Sequence, residues 1–274
     1  MSGAGPVQTE AEQDHVVVST TVNYLDNYIE AIDALRDEAV LIFREDEVMS
    51  KVVGPATVGM CVSRIKGQAL NRLDLEGSDE FRLGIECDEI LDCLSGVSST
   101  SELRLTYPVS SGGGYMVRLE IIDEDITFEL PVLDPDTIPE MTDLGVISHK
   151  TRVIVGGSDF KKTIDHAGKV TDKDNPPVML ETFDNTFQVR TNDKVDGSFT
   201  KQFHQSGPSE DEKLGEHSTE IGLTYLKSIK KQVGRGEKLT VHIEDSQPVR
   251  LDVNLDEEGD AQVVYVIAPR VAED

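Results

Sequence analysis

The chain has 274 residues, with 52 Asp plus Glu against 26 Lys plus Arg, a formal charge of −26, 5% aromatic residues and no tryptophan. No apolar run reaches the roughly 18 residues that a membrane span needs, and the start of the sequence lacks the basic and apolar segments of a signal peptide. Apolar residues recur periodically along nearly the whole length, so a packed core is expected rather than a disordered polyelectrolyte; the surface charge repels itself unless salt shortens the Debye length.

In chain order, residues 1–14 are polar and contain glycine, and they read as a disordered extension. Val16 to Thr20 predicts a strand, Val22 to Arg36 a helix, and VVGPATVGM at 52–60 a strand, turn and strand. Arg82 to Glu86 is a further strand, Cys87 to Val97 a helix and Glu102 to Tyr107 a strand, with Ser111 to Gly114 joining two strands as a hairpin. Residues 134–148 are rich in Asp and Pro and poor in periodic apolar positions, which makes them the natural joint. Beyond it the pattern recurs: a strand at Thr151 to Val155, a helix at Ser158 to Val170, a strand at Glu220 to Thr224, a helix at Tyr225 to Val233 and strands at Lys238 to Ile243, 248–255 and 264–271. The expected fold class is α+β, with two similar domains, 15–133 and 149–271, each made of two strand-helix-strands units, and an acidic tail at 272–274.

Each helix has one apolar face. Phe160, Ile164 and Ala167 form a stripe that leaves Lys162, His166 and Lys169 pointing away, with Lys161 beside them; Leu226, Ile229 and Val233 leave Lys227, Lys230 and Lys231 outward, with Arg235 just after. In a chain so short of lysine, this clustering points to contact with phosphates, the alternative being an ordinary solvated face. The helices of the first half turn out Asp26, Glu30 and Asp33, and Asp88, Glu89 and Asp92, instead. Arg64, Lys66 and Arg72, on a neighbouring strand and loop, either offset that acidity or are plain surface. Cys61, Cys87 and Cys93 and the six histidines show no metal-ligand spacing, and no catalytic or phosphate-loop motif occurs; the acidic clusters at Asp134 to Asp136 and Asp252 to Asp260 have the carboxylates to hold a cation, but the second lacks the glycine of an EF-hand loop and reads as an acidic turn. No metal, cofactor or enzyme activity is expected. Lysine point charges suit sequence-independent contact with DNA better than the reading of base edges.

VYVIAPRV at 264–271 resembles the C-terminal signature of the proliferating cell nuclear antigen (PCNA) family of sliding clamps. VVGPATVGM, LPVLDPDTIPEM at 130–141, TEIGLTYLKSIKKQV at 219–233 and PVRLDVNL at 248–255 resemble further segments of that family in the same order, on its archaeal branch, and the composition suggests a salt-loving source. The resemblance implies the DNA clamp fold, with helices lining the inside of a ring and sheets outside. It also implies a cytoplasmic processivity factor that encircles duplex DNA without sequence specificity and tethers DNA polymerase, the clamp loader and other replication and repair clients. Family habit implies a homotrimer closed between the edge at 121–129, with Asp123, Asp125 and Thr127, and the strand at 186–194 of the next subunit, with Arg190 and Lys194. Clients would insert a peptide into a pocket of Val53, Thr57, Ile138, Pro248, Ala268, Pro269, Arg270 and Val271. The acidic first-half helices, Gly54 where the family often has Asp, the N-terminal extension and the acidic stretch Gly207 to Glu216 depart from the pattern. They keep open a divergent or virus-encoded clamp paralogue; outside the family, an acidic non-clamp β-rich protein is the remaining reading.

Overall fold

The computed structural model describes residues 14–111, 114–139, 149, 151–170, 175–193, 197–204, 214–233, 238–245 and 247–270. The expected extension up to residue 13, the joint from 140 to 148 and the tail at 272–274 lie outside these. His15–Thr21 (β1) runs into Val22–Asp33 (α1), followed by Glu38–Arg44 (β2), Glu47–Val53 (β3), Gly59–Lys66 (β4), Arg72–Glu76 (β5) and Glu80–Glu86 (β6). Cys87–Leu94 (α2) then leads to Glu102–Ser111 (β7), Gly114–Ile121 (β8) and Ile126–Pro131 (β9). The second half opens with Thr151–Gly156 (β10), Gly157–Ala167 (α3), Pro177–Phe183 (β11), Thr186–Asp193 (β12) and Gly197–His204 (β13). It closes with His217–Gly222 (β14), Leu223–Val233 (α4), Lys238–Ile243 (β15), Val249–Asn254 (β16) and Ala261–Ile267 (β17). Among the described residues no helix is long and apolar enough to cross a membrane.

Three antiparallel sheets result, in the orders β5-β1-β7-β8-β9, β10-β15-β16-β17-β4-β3-β2-β6 and β13-β12-β11-β14. The eight-stranded sheet is shared by both halves, because β17 pairs with β4 and sets Tyr265 opposite Cys61. Strand alternation decides which side chains meet the helices. On β4, Cys61, Ser63 and Ile65 are buried on the helix side, while Arg64 and Lys66 are exposed on the other. The four helices stand side by side in the order α2, α1, α4, α3 and cover one side of the sheets.

Helix ends are set by where backbone groups find partners. The amides of Leu35 and Arg36 both turn back to the Ile32 carbonyl, so α1 stops at Asp33, short of the expected Arg36. That tight last turn leaves the Ala31 carbonyl over, and the buried Tyr265 hydroxyl donates to it at 2.8 Å. The Ser95 amide returns to Leu91, and α2 ends at Leu94 rather than Val97.

The first residues of the joint are fixed to the outer face of the large sheet. The Leu133 amide donates to the Gly84 carbonyl at 3.0 Å. A Cβ on Gly84 would lie 2.4 Å from the Leu133 carbonyl oxygen, so this close approach requires glycine. Arg82 pairs with Asp136 at 2.9 Å, and Ile138 is buried with Val40, Ile42 and Met49 in a second, smaller apolar cluster.

Candidate nucleic-acid interface and docking groove

The row of helices divides by charge. On α3, Phe160, Ile164 and Ala167 are buried while Lys162, His166 and Lys169 are exposed and Lys161 half-exposed; on α4, Leu226, Ile229 and Val233 are buried and Lys231 is exposed. Two lysines are partly engaged. Lys230 forms an ion pair with Asp165 of α3, and its hydrogen bond, helped by Lys161 and Lys169, holds the Asp165 carboxyl below the usual range. The Lys227 ammonium extends over Gly168 at the C-terminal end of α3, where the helix dipole favours a cation. Arg235 lies outside the described residues.

The other two helices present acid. Asp88, Glu89 and Asp92 of α2 are exposed, and Asp26, Glu30 and Asp33 of α1 half-exposed. Burial and the neighbouring Asp88 push the Asp33 carboxyl up, with Lys231 opposing. At the seam, Glu30, Asp33 and Asp88 face Thr224, Lys227 and Lys231 across a cleft of about 480 Å³, and the Gln232 amide bridges to Glu30 at 3.1 Å. The side of the row away from the sheets therefore runs from strongly acidic to basic.

Arg64, Lys66 and Arg72 do not join it. The first two occupy the outward positions of β4, Arg64 paired with Glu47 at 2.8 Å and Lys66 with Asp260 at 2.8 Å. Arg72 sits opposite Ser19 and binds Asp74 at 2.5 Å, on the face of its sheet that the core residues Val16 and Val18 turn away from. Alternation along the strands puts all three behind the helix layer, and they leave the candidate DNA-facing set.

The outer face carries an apolar strip, the candidate docking groove. Cross-strand pairing sets Val53, Met60 and Val266 in one row and Val62 beside Val264 in another, next to the cluster under Ile138. The Ala268 amide donates to the Val58 carbonyl at 2.8 Å, which holds the chain end against the early turn. The Pro248 carbonyl accepts from His149 Nε2 at 2.5 Å, at the end of the neighbouring strand. Thr57 is exposed in that turn with a left-handed φ of 56°. Gly54 has an extended φ of −66°, and a Cβ there would be 3.2 Å from the Leu35 carbonyl oxygen, so glycine lets this turn sit against the end of α1. Arg270 is drawn away: its amide and guanidinium bind the Glu220 carbonyl at 2.7 Å and the Asn175 carbonyl at 2.7 Å. Val271 lies outside the described residues. Met60, Val62, Val264 and Val266 were not singled out in the sequence, although apolar residues on both faces of one strand signal a second covered surface.

No family model matches the chain. A DNA polymerase sliding clamp of Archaeoglobus fulgidus is 26% identical over 258 residues, covering 93% of this chain and 98% of the relative. The DNA polymerase sliding clamp of Natronomonas pharaonis is 22% identical over 249 residues, covering 90% and 94%. Among solved structures, Archaeoglobus fulgidus PCNA bound to the C-terminal region of FEN-1 matches with a TM-score of 0.80, 24% identity and coverage of 94% of this chain and 100% of that one. Along nearly its whole length the chain is similar to sliding clamps. A second clamp structure, the PCNA2-PCNA3 complex from Sulfolobus tokodaii, matches at a TM-score of 0.75 and 17% identity over 93% of this chain and 99% of that one.

Among the terminal strands of the three sheets, β9 and β13 are the repeat counterparts of the two strands that meet inside the chain. The last strand of the second half, β17, pairs with the third strand after the first helix, β4. Their counterparts in the repeat are β9 and β13, each at the edge of its sheet. The expected partner strand, Thr186 to Lys194, is instead internal: β12 is paired on both sides, by β11 and β13, and has no free backbone edge. Nor are the expected charges uncommitted. Arg190 binds Glu181 at 3.3 Å, Asp123 accepts from the Glu102 amide at 3.4 Å, Asp125 forms the left-handed turn into β9, and Lys194 lies outside the described residues. Thr127 is exposed on the free edge.

Proposed function

We propose that the protein is a sliding clamp that encircles duplex DNA without sequence specificity and tethers DNA polymerase and other replication and repair factors, raising processivity without catalysing a reaction itself. The observation that carries this reading is the pair of vacant edges. If β9 of one copy meets β13 of the next as β17 meets β4, the same junction recurs between and within subunits and the assembly closes head to tail. We read the assembly as a homotrimer working in the cytoplasm of a salt-adapted cell, a source that the excess of carboxylates favours. Such a ring holds DNA by topology, so the exposed Lys162, Lys169 and Lys231 need only weak phosphate contacts; tight electrostatic binding would be lost in high salt, since log K falls by about 0.9 per neutralised phosphate for each unit of log[salt]. The half-buried Val53, Met60 and Val62 beside Ile138 supply apolar anchors for client peptides, and the homologous clamp that holds a segment of FEN-1 supports this use. The acidic faces of α1 and α2 favour a specialised paralogue as a second reading, which replacement of the principal clamp in cells separates from the first.

The deciding experiment is primer extension on loaded DNA with Lys162→Glu, Lys169→Glu and Lys231→Glu combined. These exposed positions spare the Lys230–Asp165 pair, so ring mass stays unchanged while product length falls. Product length equal to that of the unsubstituted clamp would reject the role given to this face.

A further inference from the structure

The outer face of the second half carries a surface beyond the client groove, meeting it only at Val264. Strands β10, β15, β16 and β17 line a cavity of about 360 Å³ whose walls include Arg152, Ile154, Lys238, Arg250 and Asp252. Arg152 and Ile154 take the outward positions of β10, where Thr151, Val153 and Val155 are buried beneath, and Ile154 is 45% exposed. Pairing places Arg152 opposite His242, Ile154 opposite Thr240 and Gly156 opposite Lys238, so the two cations flank the isoleucine along the strand direction.

Arg152 is unlike the other arginines of this acidic chain. Every other described arginine lies within ion-pair distance of a carboxylate. Arg250, in the same cavity, is held by Asp252 at 2.6 Å. Arg152 and Lys238 have neither ionic nor hydrogen-bonding partners among the described residues. Leaving two cations uncommitted around an exposed isoleucine, where carboxylates outnumber cations two to one, is the complement of an acidic ligand with an apolar centre.

We infer that Arg152, Ile154 and Lys238 form a second docking surface, for an extended acidic segment of a partner protein. Residue steps of about 3.3 Å put Arg152 and the level of Lys238 about 13 Å apart, the distance between side chains four apart on one face of an extended peptide. The matching ligand is acidic-x-apolar-x-acidic, with carboxylates on Arg152 and Lys238 and the apolar residue on Ile154. The buried face of this sheet is covered by α3, so the site looks away from the DNA-facing helices, and the isoleucine and Asp252 at its centre disfavour a nucleic-acid backbone. The division of labour also suits concentrated salt: screened charges select the partner, and the apolar contact keeps its strength.

The test titrates the full chain into a fluorescein-labelled peptide Gly-Glu-Ser-Leu-Ser-Glu-Gly and follows anisotropy. Arg152→Glu with Lys238→Glu should weaken binding at least about tenfold, Arg152→Lys with Lys238→Arg should retain it, and Val53→Glu in the client groove should leave it unchanged. Ile154→Ser should lose proportionally more affinity in high salt than in low. Arg152 and Lys238 are exposed, so circular dichroism and mass should be unchanged by the reversal. The inference is overturned if the peptide fails to bind, or binds the reversed variant equally well. It is likewise overturned if a labelled duplex rather than the peptide loses binding in that variant, if the variant changes ring mass and so assigns the face to a second copy, or if binding appears only after Glu210, Asp211 and Glu212 are replaced, which assigns it to the chain's own acidic stretch.

Discussion

Side chains that look alike in the sequence have unlike duties in this fold, and the difference is set by the backbone groups they meet. Tyr265 belongs to the terminal segment that resembles the clamp signature, yet its hydroxyl serves the carbonyl of Ala31, more than two hundred residues away in sequence and left over by the tight end of α1. Burial pushes that hydroxyl well up in pKa, so it stays a donor at any working pH. Tyr265→Phe keeps the ring and strands the carbonyl. It should cost about 1–2 kcal/mol, read as a lower Tm with unchanged ring mass; an unaltered Tm would show that the Cys61 thiol, 3.9 Å from the same oxygen, suffices. Lys230 makes the converse point. Its spacing groups it with Lys227 and Lys231, and nothing in that spacing reveals that Asp165 on another helix engages it.

Elements were legible where one face had to be apolar and the other did not. The buried stripes of α3 and α4 and the acidic faces of α1 and α2 follow from 3.6-residue periodicity alone. Strand pairing is a different matter: alternation tells which side of a sheet a residue faces, not which strands lie at its edge. For that reason Arg64 and Lys66, close in sequence to helix-facing residues, stand on the opposite side of the sheet, and β13 rather than β12 is the free edge. The internal repeat supplies the missing register. Transferring the β17–β4 alignment, in which Val264 faces Val62 and Tyr265 faces Cys61, puts Thr127 of one copy opposite Thr200 of the next and Phe128 opposite Phe199. Directly opposed positions have Cβ atoms about 4.5–5.5 Å apart, near enough for a disulfide after small adjustment. Thr127→Cys with Thr200→Cys, in a Cys93→Ser background, should therefore give covalent oligomers on oxidation, resolved by denaturing electrophoresis. Thr127→Cys with Arg190→Cys should give none. The reverse pattern would return the junction to β12.

At the scale of the whole molecule, charge and assembly pull in opposite directions. Each subunit carries −26, and the charged groups near β9 are tied within their own chain: Arg118 binds Glu129 at 2.7 Å, while Glu124 accepts from the Ser98 amide and the Ser101 hydroxyl at 3.0 and 3.1 Å. What the junction offers instead is backbone pairing and the half-buried Ile126, Phe128, Leu130, Phe199 and Phe203. Long-range repulsion between subunits is then the main electrostatic term at assembly. It weakens as salt shortens the Debye length from about 10 Å at 0.1 M to about 3 Å at 1 M, while apolar burial does not weaken. Light scattering across a KCl series should accordingly show ring mass in molar salt and dissociation toward subunits in dilute buffer, with Phe199→Glu shifting the midpoint to higher salt or abolishing the ring. A ring that falls apart as salt rises would mean that attraction between opposite charges holds the edges together, and the apolar account of the junction would have to be abandoned.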